Sequence, residues 1–197
     1  MLVLASASPR RQELLRNAGI SFTAHPTNIP ESPRPGEGPR DCAERLAREK
    51  VQAALRQHPG NLVLGADTIV VVEGESLGKP GDEGDAERML RLLSGRTHQV
   101  ITGVCLGLRT ENQKLEPGFE DTRSETTQVT MIPLSDEDIR SYIATGEPMD
   151  KAGAYAIQGI ASRWIPRIEG DYFNVVGLPV ALVSRMLLEH GCGGGKK

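Results

Sequence analysis

The chain is built around the segment Asn61-Leu-Val-Leu-Gly-Ala-Asp-Thr-Ile-Val-Val-Val72. Its run of Val, Ile and Leu is typical of a strand that is buried on both faces. Asp67 interrupts this run, and burying an unpaired carboxylate is strongly unfavourable. We therefore expect Asp67 to meet a cation, a hydrogen-bond network or a water-filled cleft. Its position alone does not separate a functional Asp67 from a structural one that caps a turn or pairs with an Arg.

Strand and helix patterns flank this segment on both sides. The predicted strands lie at residues 2–5, 20–27, 61–72, 98–108, 123–133 and 165–170. The predicted helices lie at residues 8–19, 40–58, 82–94, 135–146 and 180–190, and the predicted turns and loops lie at residues 29–39, 73–75 and 110–119. Ser8 before Pro9 is a helix start signal, and Ser135 with Asp138 is typical of a capping box.

The start of the first predicted helix has the features of an anion site. Directly after a strand, the free amides and the positive dipole end of a helix point at one spot. Ser6 and Ser8 add hydroxyl donors there, and Arg10 and Arg11 add guanidinium groups that match phosphate oxygens. The alternative is a helix cap at Ser8 with two arginines in solvent. It accounts for Ser8 but not for two serines and two arginines within one turn. We favour a role that faces phosphate.

A second dense segment, residues 147–159, surrounds Lys151 and Gln158 with small residues. Gly153 and Gly159 permit close approach of the backbone to a ligand. The amide of Gln158 offers both a donor and an acceptor, which suits the edge of a nucleobase. The alternative is an ordinary irregular connection.

Length and composition limit the class of protein. The 197 residues fit one domain, which we place at residues 1–190, with a disordered tail at 191–197. The net charge of −3 gives no footprint of nucleic-acid binding. No apolar run approaches the roughly 20 residues of a membrane span. The three cysteines, Cys42, Cys105 and Cys192, form no CxxC pair. Reduced thiols in the cytoplasm are the simplest interpretation.

Taken together, the motifs resemble the Maf family over nearly the whole chain. The resemblance is carried by Ser6-Ala-Ser-Pro-Arg-Arg-Gln-Glu-Leu-Leu15, Gly65-Ala-Asp-Thr68, Gly78-Lys-Pro80, Leu93-Ser-Gly-Arg-Thr-His98, Glu147-Pro-Met-Asp-Lys-Ala-Gly-Ala-Tyr155, Ile157-Gln-Gly159 and Gly170-Asp-Tyr-Phe-Asn-Val-Val-Gly-Leu-Pro179. It implies a nucleoside triphosphate pyrophosphatase that uses Mg²⁺ or Mn²⁺. It also implies an α/β fold, with an elongated mixed sheet flanked by helices and two lobes around a central cleft, and a homodimer.

The resemblance assigns catalytic roles residue by residue. It places the catalytic carboxylate, which accepts the proton of the attacking water, at Asp67. Lys50 and Lys79 match further lysines of the family's site. Glu31 falls where the family has an acidic residue that works with Asp67 at the metal. Here Pro30 precedes Glu31, in place of the usual acidic cluster.

The same resemblance assigns the substrate contacts. Ser8, Arg10 and Arg11 fall in the phosphate-binding element, and Lys151 in the substrate-binding segment. The residues that set substrate preference in the family match Arg10, Thr68 and Gln158 here. The sequence of residues 150–158 is similar to the subgroup that acts on dTTP and UTP. It therefore implies hydrolysis of these nucleotides to the monophosphate and pyrophosphate, with modified pyrimidine nucleotides as further candidate substrates.

Two alternatives stay open at this stage. One is a nucleotide-binding regulator of cell division and septum formation, in which hydrolysis is incidental. The other is a 7-methyl-GTP pyrophosphatase, the second subgroup of the family. We favour the dTTP/UTP enzyme, because an acid, several cations and a base-reading amide occur together. A P-loop protein is not indicated, since the sequence contains no G-x-x-x-x-G-K-[ST] motif.

Overall fold

The computed structural model of the chain describes residues 1–109 and 118–192. Its strands are β1 (Leu2–Leu4), β2 (Phe22–Ala24), β3 (Leu62–Val72), β4 (Glu75–Leu77), β5 (Thr97–Leu108), β6 (Phe119–Thr130) and β7 (Arg167–Glu169). Its α-helices are α1 (Pro9–Asn17), α2 (Pro39–Leu55), α3 (Glu83–Leu93), α4 (Asp136–Ile143), α5 (Tyr172–Val176) and α6 (Val180–Glu189). Single 3-10 turns lie at Glu147–Asp150, Ala152–Ala154 and Ile160–Trp164. Most of the predicted loop at 110–119 and of the predicted tail at 191–197 falls outside the described residues.

The strands form a mixed sheet, which confirms the predicted fold class. Their order is β2-β1-β3-β5-β6-β7, and β4 pairs with β3. β1 is parallel to both β2 and β3, whereas β4 is antiparallel to β3 and β7 is antiparallel to β6. The central position of β3 explains its apolar sequence, because it has neighbours on both edges and buried side chains on both faces.

The described chain divides into two compact units. The first contains residues 1–67, 102–109, 118–125 and 177–192, and the second contains residues 68–101 and 126–176. The strands β3, β5 and β6 each contribute to both units. The single domain at residues 1–190 and the cleft between lobes stay predictions.

In the first unit, α2 packs directly on the sheet. Its side of the core comprises Ala47, Val51, Ala54 and Leu55, and the sheet side comprises Val3, Ala5, Val63 and Cys105. Two strand glycines allow this close approach. A Cβ at Gly65 would lie 2.5 Å from the Ala47 carbonyl oxygen, and a Cβ at Gly103 would lie 2.3 Å from the Ala43 carbonyl oxygen. The register of α2 on β3 is therefore fixed at the level of the backbone.

The second unit has a buried polar pair inside its apolar packing. His98, at the start of β5, is 2.8 Å from the hydroxyl of Tyr155 through its Nε2 atom. Burial lowers the pKa of His98 to about 4, so the ring is neutral near pH 7. Nearby, Asn174 of α5 donates to the Val100 carbonyl and to the Thr127 hydroxyl, at 2.9 and 3.0 Å. These contacts join the segments at 150–155 and 170–176 to β5 and β6.

Several element boundaries differ from the predictions. β2 is shorter than residues 20–27, because Pro26 has no N–H with which to extend the pairing. β6 begins at Phe119 rather than at residue 123. The sequence did not predict this first part as strand, because it carries charged side chains and shows no apolar alternation. The short helix α5 was not predicted, and β4 completes a hairpin at the predicted turn of residues 73–75. The predicted capping box of α4 is confirmed.

Replacing Gly103 by Ala is expected to lower the free energy of unfolding by about 1–3 kcal/mol, the usual cost of overpacking a filled core. The new methyl group has no room beside the α2 backbone. Urea denaturation followed by circular dichroism measures the change. Gly81→Ala is the matched control, since a Cβ at Gly81 meets nothing within 4 Å. A Gly103→Ala protein as stable as this control would show that α2 does not lie so close to β5.

Candidate active site

The centre of the candidate site is a group of three charges in the first unit. The Lys50 Nζ atom lies 2.6 Å from Oδ1 of Asp67 and 2.6 Å from Oε1 of Glu31. The side chains of Lys50 and Asp67 are only 7% and 12% exposed, whereas that of Glu31 is 49% exposed. Asp67 thus meets a cation, as its position in a buried strand predicted. Lys50 is not a surface lysine whose ammonium reaches solvent, since the residue is buried.

The packing of α2 on β3 explains why these groups meet. Lys50 lies on the buried side of α2, between Leu46 and Val51 in the apolar pattern of that helix. Gly65 brings the α2 backbone down onto β3, two residues before Asp67. A buried ammonium needs an anionic partner, and the Asp67 carboxylate on β3 is that partner.

A second ion pair holds the Glu31 segment against α2. Arg45, five residues before Lys50 on α2, binds both oxygens of the Glu37 carboxylate, at 2.5 and 2.7 Å. It also donates to the Ser32 carbonyl at 3.2 Å. The hydrogen bonds from Arg45 lower the pKa of Glu37 to about 2, so this pair stays ionised at neutral pH. The loop around Glu31 is therefore fixed from the same helix that carries Lys50.

The predicted anion site at the start of α1 is partly built from backbone contacts. The Ser8 hydroxyl accepts from the Arg11 amide at 3.4 Å, which confirms Ser8 as the N-cap. The Ser6 hydroxyl accepts from the Ser8 amide and from Nη1 of Arg11, both at 3.2 Å. Arg11 also donates through Nε to the Gly177 carbonyl at 2.8 Å. The loop before α6 thus fixes the Arg11 guanidinium at the end of β1.

Arg11 is buried, so it is not a solvated surface arginine. Burial lowers its pKa, while the carboxylates of Asp67 and Glu31 raise it and the neighbouring Arg10 lowers it further. These electrostatic contributions place Arg11 within reach of the charges around Lys50. Five predicted site residues, namely Ser8, Arg11, Glu31, Lys50 and Asp67, therefore belong to one neighbourhood, with Arg10 half-buried beside them.

The remaining predicted residues lie in the second unit. Thr68 follows Asp67 in β3 and is half-buried, and Lys79 is exposed in the turn after β4. Lys151 donates to the Glu147 carbonyl at 3.2 Å and pairs with Asp150. Gln158 is exposed at the tip of a turn.

A backbone contact joins two of these segments. The Gly153 amide donates to the Gly78 carbonyl at 3.0 Å, which links the Lys151 segment to the turn that carries Lys79. Gly153 has φ of 70° and packs against Val70 of β3, where a Cβ would lie 3.0–3.1 Å from that side chain. A larger residue would therefore be strained and crowded here. Glycine at this position brings the segment onto the strand that contains Thr68.

The donor set is compatible with a hard divalent cation. Carboxylate oxygens are the ligands that Mg²⁺ and Mn²⁺ prefer, and Mg²⁺ is commonly held by one or two carboxylates together with substrate phosphates. Asp67 and Glu31 supply two carboxylates at one ammonium. The part of the chain that the structure describes contains no group of three or more His, Cys, Asp or Glu suited to a metal. The two carboxylates thus fit a metal that is held jointly with a phosphate ligand.

Several residues that build the site could not be identified from the sequence. Arg45 lies five positions before Lys50, and only its charge pattern with Glu49 marks that face of α2. Gly177 contributes through a carbonyl oxygen, which no side-chain motif reveals. Within residues 1–109 and 118–192, no helix has the length and apolar character of a membrane span.

Comparison with known proteins identifies close relatives. The family described as Maf-like protein matches residues 1–190. The dTTP/UTP pyrophosphatase of Koribacter versatilis is 55% identical over 190 residues, which cover 96% of this chain and 94% of the relative. The dTTP/UTP pyrophosphatase of Geobacter sulfurreducens is 53% identical, with 96% of each chain covered. That of Syntrophomonas wolfei is 50% identical over 188 residues, which cover 95% of this chain and 96% of the relative.

Replacing Lys50 by Met is expected to lower the free energy of unfolding by about 3 kcal/mol, because it leaves the Asp67 carboxylate buried without its cation. Adding Asp67→Asn to Lys50→Met should restore part of this loss. Urea denaturation of the two single variants and the double variant measures the coupling, which we expect to exceed about 1 kcal/mol. Glu31→Gln is the exposed control and should change stability by less than about 1 kcal/mol. Additive effects of Lys50→Met and Asp67→Asn would contradict the buried pair.

Proposed function

The chain belongs to the Maf family, and from this premise we propose that it hydrolyses dTTP and UTP to the monophosphate and pyrophosphate. The observation that carries the proposal is the cluster in which Lys50 contacts both Asp67 and Glu31, with the Arg11 guanidinium nearby. Relatives that share half or more of the sequence are named dTTP/UTP pyrophosphatases. A carboxylate, a buried lysine and a fixed arginine at one place suit the attack of water on a phosphoric anhydride.

Asp67 is the proposed proton acceptor for the attacking water. Its Oδ1 atom is held by Lys50 at 2.6 Å, which fixes the carboxylate. The other oxygen, Oδ2, is the one that we assign to the water. A positioned carboxylate of this kind both orients the water and takes up its proton as the bond to phosphorus forms.

The cations are the proposed stabilisers of the leaving pyrophosphate. Arg11 is fixed through Ser6 and Gly177, so its guanidinium does not have to reorganise when charge develops. We assign the Ser8 hydroxyl, at the positive end of the α1 dipole, to phosphate oxygens, with Arg10 beside it. We assign the same role to Lys79 and Lys151.

A divalent cation, Mg²⁺ or Mn²⁺, completes the proposed site, with Asp67 and Glu31 as its protein ligands. When bound, such an ion offsets triphosphate charge and lowers the pKa of water. The Arg45–Glu37 pair keeps the Glu31 loop in reach of α2. Arg10, Thr68 and Gln158 are the proposed determinants of substrate preference. A homodimer and a cytoplasmic location remain predictions.

The first experiment measures pyrophosphate release with Mg²⁺ for a panel of nucleotides. The panel contains the ordinary ribo- and deoxyribonucleoside triphosphates, 5-methyl-UTP, pseudo-UTP and 7-methyl-GTP. We expect turnover of dTTP and UTP, and a loss of about 10²–10⁴-fold in Asp67→Asn, the usual contribution of a general base. Glu83→Gln, on the exposed surface of α3, is the control and should keep full activity.

Other outcomes of this panel would overturn specific parts of the proposal. Turnover mainly of 7-methyl-GTP would keep the enzyme class and change the substrate. Tight nucleotide binding without any turnover would favour the regulator of division. Normal turnover in Asp67→Asn would remove Asp67 from catalysis.

Lys79→Ala is expected to lower kcat for dTTP by about a hundredfold. A donor that meets developing charge is typically worth about 3 kcal/mol of barrier. Because Lys79 is exposed in a turn, the variant should fold normally. Steady-state kinetics beside urea denaturation separates the two effects, and Arg140→Ala on the exposed side of α4 is the control. A kcat equal to that of this control would exclude Lys79 from the mechanism.

A further inference from the structure

We propose that Tyr142 and Glu147 are positioning residues for base selection, because they anchor the backbone on both sides of Gln158. This inference rests on the proposed function, since it takes Gln158 as the residue that contacts the base. Tyr142 lies in α4, and Glu147 begins the 3-10 turn that follows this helix. Neither residue contacts a nucleotide in the proposed mechanism, so both act through Gln158.

Tyr142 anchors the chain before Gln158. Its hydroxyl donates to Oε1 of Glu147 at 2.8 Å and accepts from the Ala156 amide at 3.1 Å. The ring is 1% exposed and makes an edge contact with Trp164 at 5.3 Å between centroids. The hydroxyl therefore has one fixed position. Burial, and then the hydrogen bond to Glu147, raise the pKa of Tyr142, so the phenol remains a donor at physiological pH.

Glu147 anchors the chain after Gln158. Its carboxylate accepts from the Ile160 amide, at 3.0 Å through Oε1 and 3.3 Å through Oε2. A Cβ at Gly159 would lie 2.3 Å from Oε1 and 2.4 Å from Oε2. Only glycine leaves room for the carboxylate to lie against this turn. A charge-assisted bond between a carboxylate and a backbone amide is stronger than a neutral one.

The two anchors bracket Gln158 symmetrically. Ala156 is two residues before it, and Ile160 is two residues after it. The turn between them is closed by the Gly159 amide, which donates to the Ala156 carbonyl at 3.0 Å. Gln158 is exposed although both of its flanks are held by hydrogen bonds to the same Tyr142–Glu147 pair. An exposed side chain on a turn fixed at both ends is poised to contact a ligand rather than to support the core.

The chemistry of base reading requires such a fixed turn. Thymine and uracil present an N–H donor beside a carbonyl acceptor, and cytosine presents the reverse pair on the same edge. A glutamine amide offers both a donor and an acceptor, so it can match either base by rotating half a turn. The anchors fix the backbone that carries Gln158, and so fix the point from which its amide approaches the base. Selection for dTTP and UTP over dCTP rests on one or two hydrogen bonds of correct length, which needs the backbone position of Gln158 to be restricted.

The test compares kcat/KM for dTTP and dCTP in the full-length protein. Tyr142→Phe removes only the hydroxyl, and Glu147→Ala removes the carboxylate. We expect each to lower the ratio of dTTP to dCTP by about tenfold, the effect of losing one hydrogen bond of about 1.4 kcal/mol. The change should appear mainly as a higher KM for dTTP, with a smaller change in kcat. Tyr172→Phe, at an exposed tyrosine of α5, is the matched control and should keep the ratio.

The conservative variant Glu147→Gln separates positioning from stability. Its side-chain carbonyl still accepts from the Ile160 amide, so we expect the ratio to return to within about threefold of the wild type. Urea denaturation of all variants shows whether they fold. If Glu147→Ala unfolds, Tyr142→Phe and Glu147→Gln carry the test.

Three results distinguish the failure of this inference from the failure of the proposed function. A uniform loss of activity on dTTP and dCTP, with an unchanged ratio, would show that Tyr142 and Glu147 are only structural. A ratio that falls in Gln158→Ala but not in Tyr142→Phe or Glu147→Ala would also overturn the inference while supporting Gln158. A wild-type protein without turnover of dTTP and UTP would overturn the proposed function, and the inference with it.

Discussion

The contact between the Lys50 ammonium and the Asp67 carboxylate is the constraint on which the first unit depends. Two opposite charges are removed from water, and neither is tolerated there alone. The contact requires α2 to lie directly on β3, which the strand glycines Gly65 and Gly103 make possible. A buried ion pair contributes little net stability compared with an apolar pair of the same size. The proposed catalytic role of Asp67 would account for the presence of the pair, which a contribution to folding does not.

The charges around this pair follow from the same arrangement. Because Lys50 contacts Glu31 as well as Asp67, the loop that carries Glu31 has to be held close to α2, and Arg45 does so through Glu37 and Ser32. Arg11 is fixed from another direction by Ser6 and by the Gly177 carbonyl. The proposed catalytic groups of this cluster, Glu31, Lys50, Asp67 and Arg11, are thus held by neighbouring contacts, which lowers the cost of reorganisation when a substrate binds.

The sequence was sufficient for most of the elements and for the chemistry of single residues, but not for the short elements β4 and α5 or for the contacts between elements. The apolar run of β3 and the capping signals of α1 and α4 are local patterns, and local patterns predict local structure. The need of Asp67 for a partner also follows from burial alone. The identity of that partner depends on the register of α2 on the sheet, which the contacts of Gly65 and Gly103 determine. Lys50 and Asp67 are 17 residues apart in the sequence, so no local pattern pairs them. Backbone donors and acceptors such as the Gly177 carbonyl have no side-chain signature at all.

The two units solve different positioning problems by different means. In the first unit, the proposed catalytic groups project from a long helix and a central strand, so their geometry is set by the packing of the core and is difficult to alter. In the second unit, Lys79, Lys151 and Gln158 lie on turns that are held by a few hydrogen bonds to backbone and to the Tyr142–Glu147 pair. A turn of this kind can change with few substitutions and without disturbing a core. Cleavage of the anhydride is the same for every nucleoside triphosphate, whereas the base differs. A rigid frame for the reacting groups and anchored turns for base selection are what these two requirements predict.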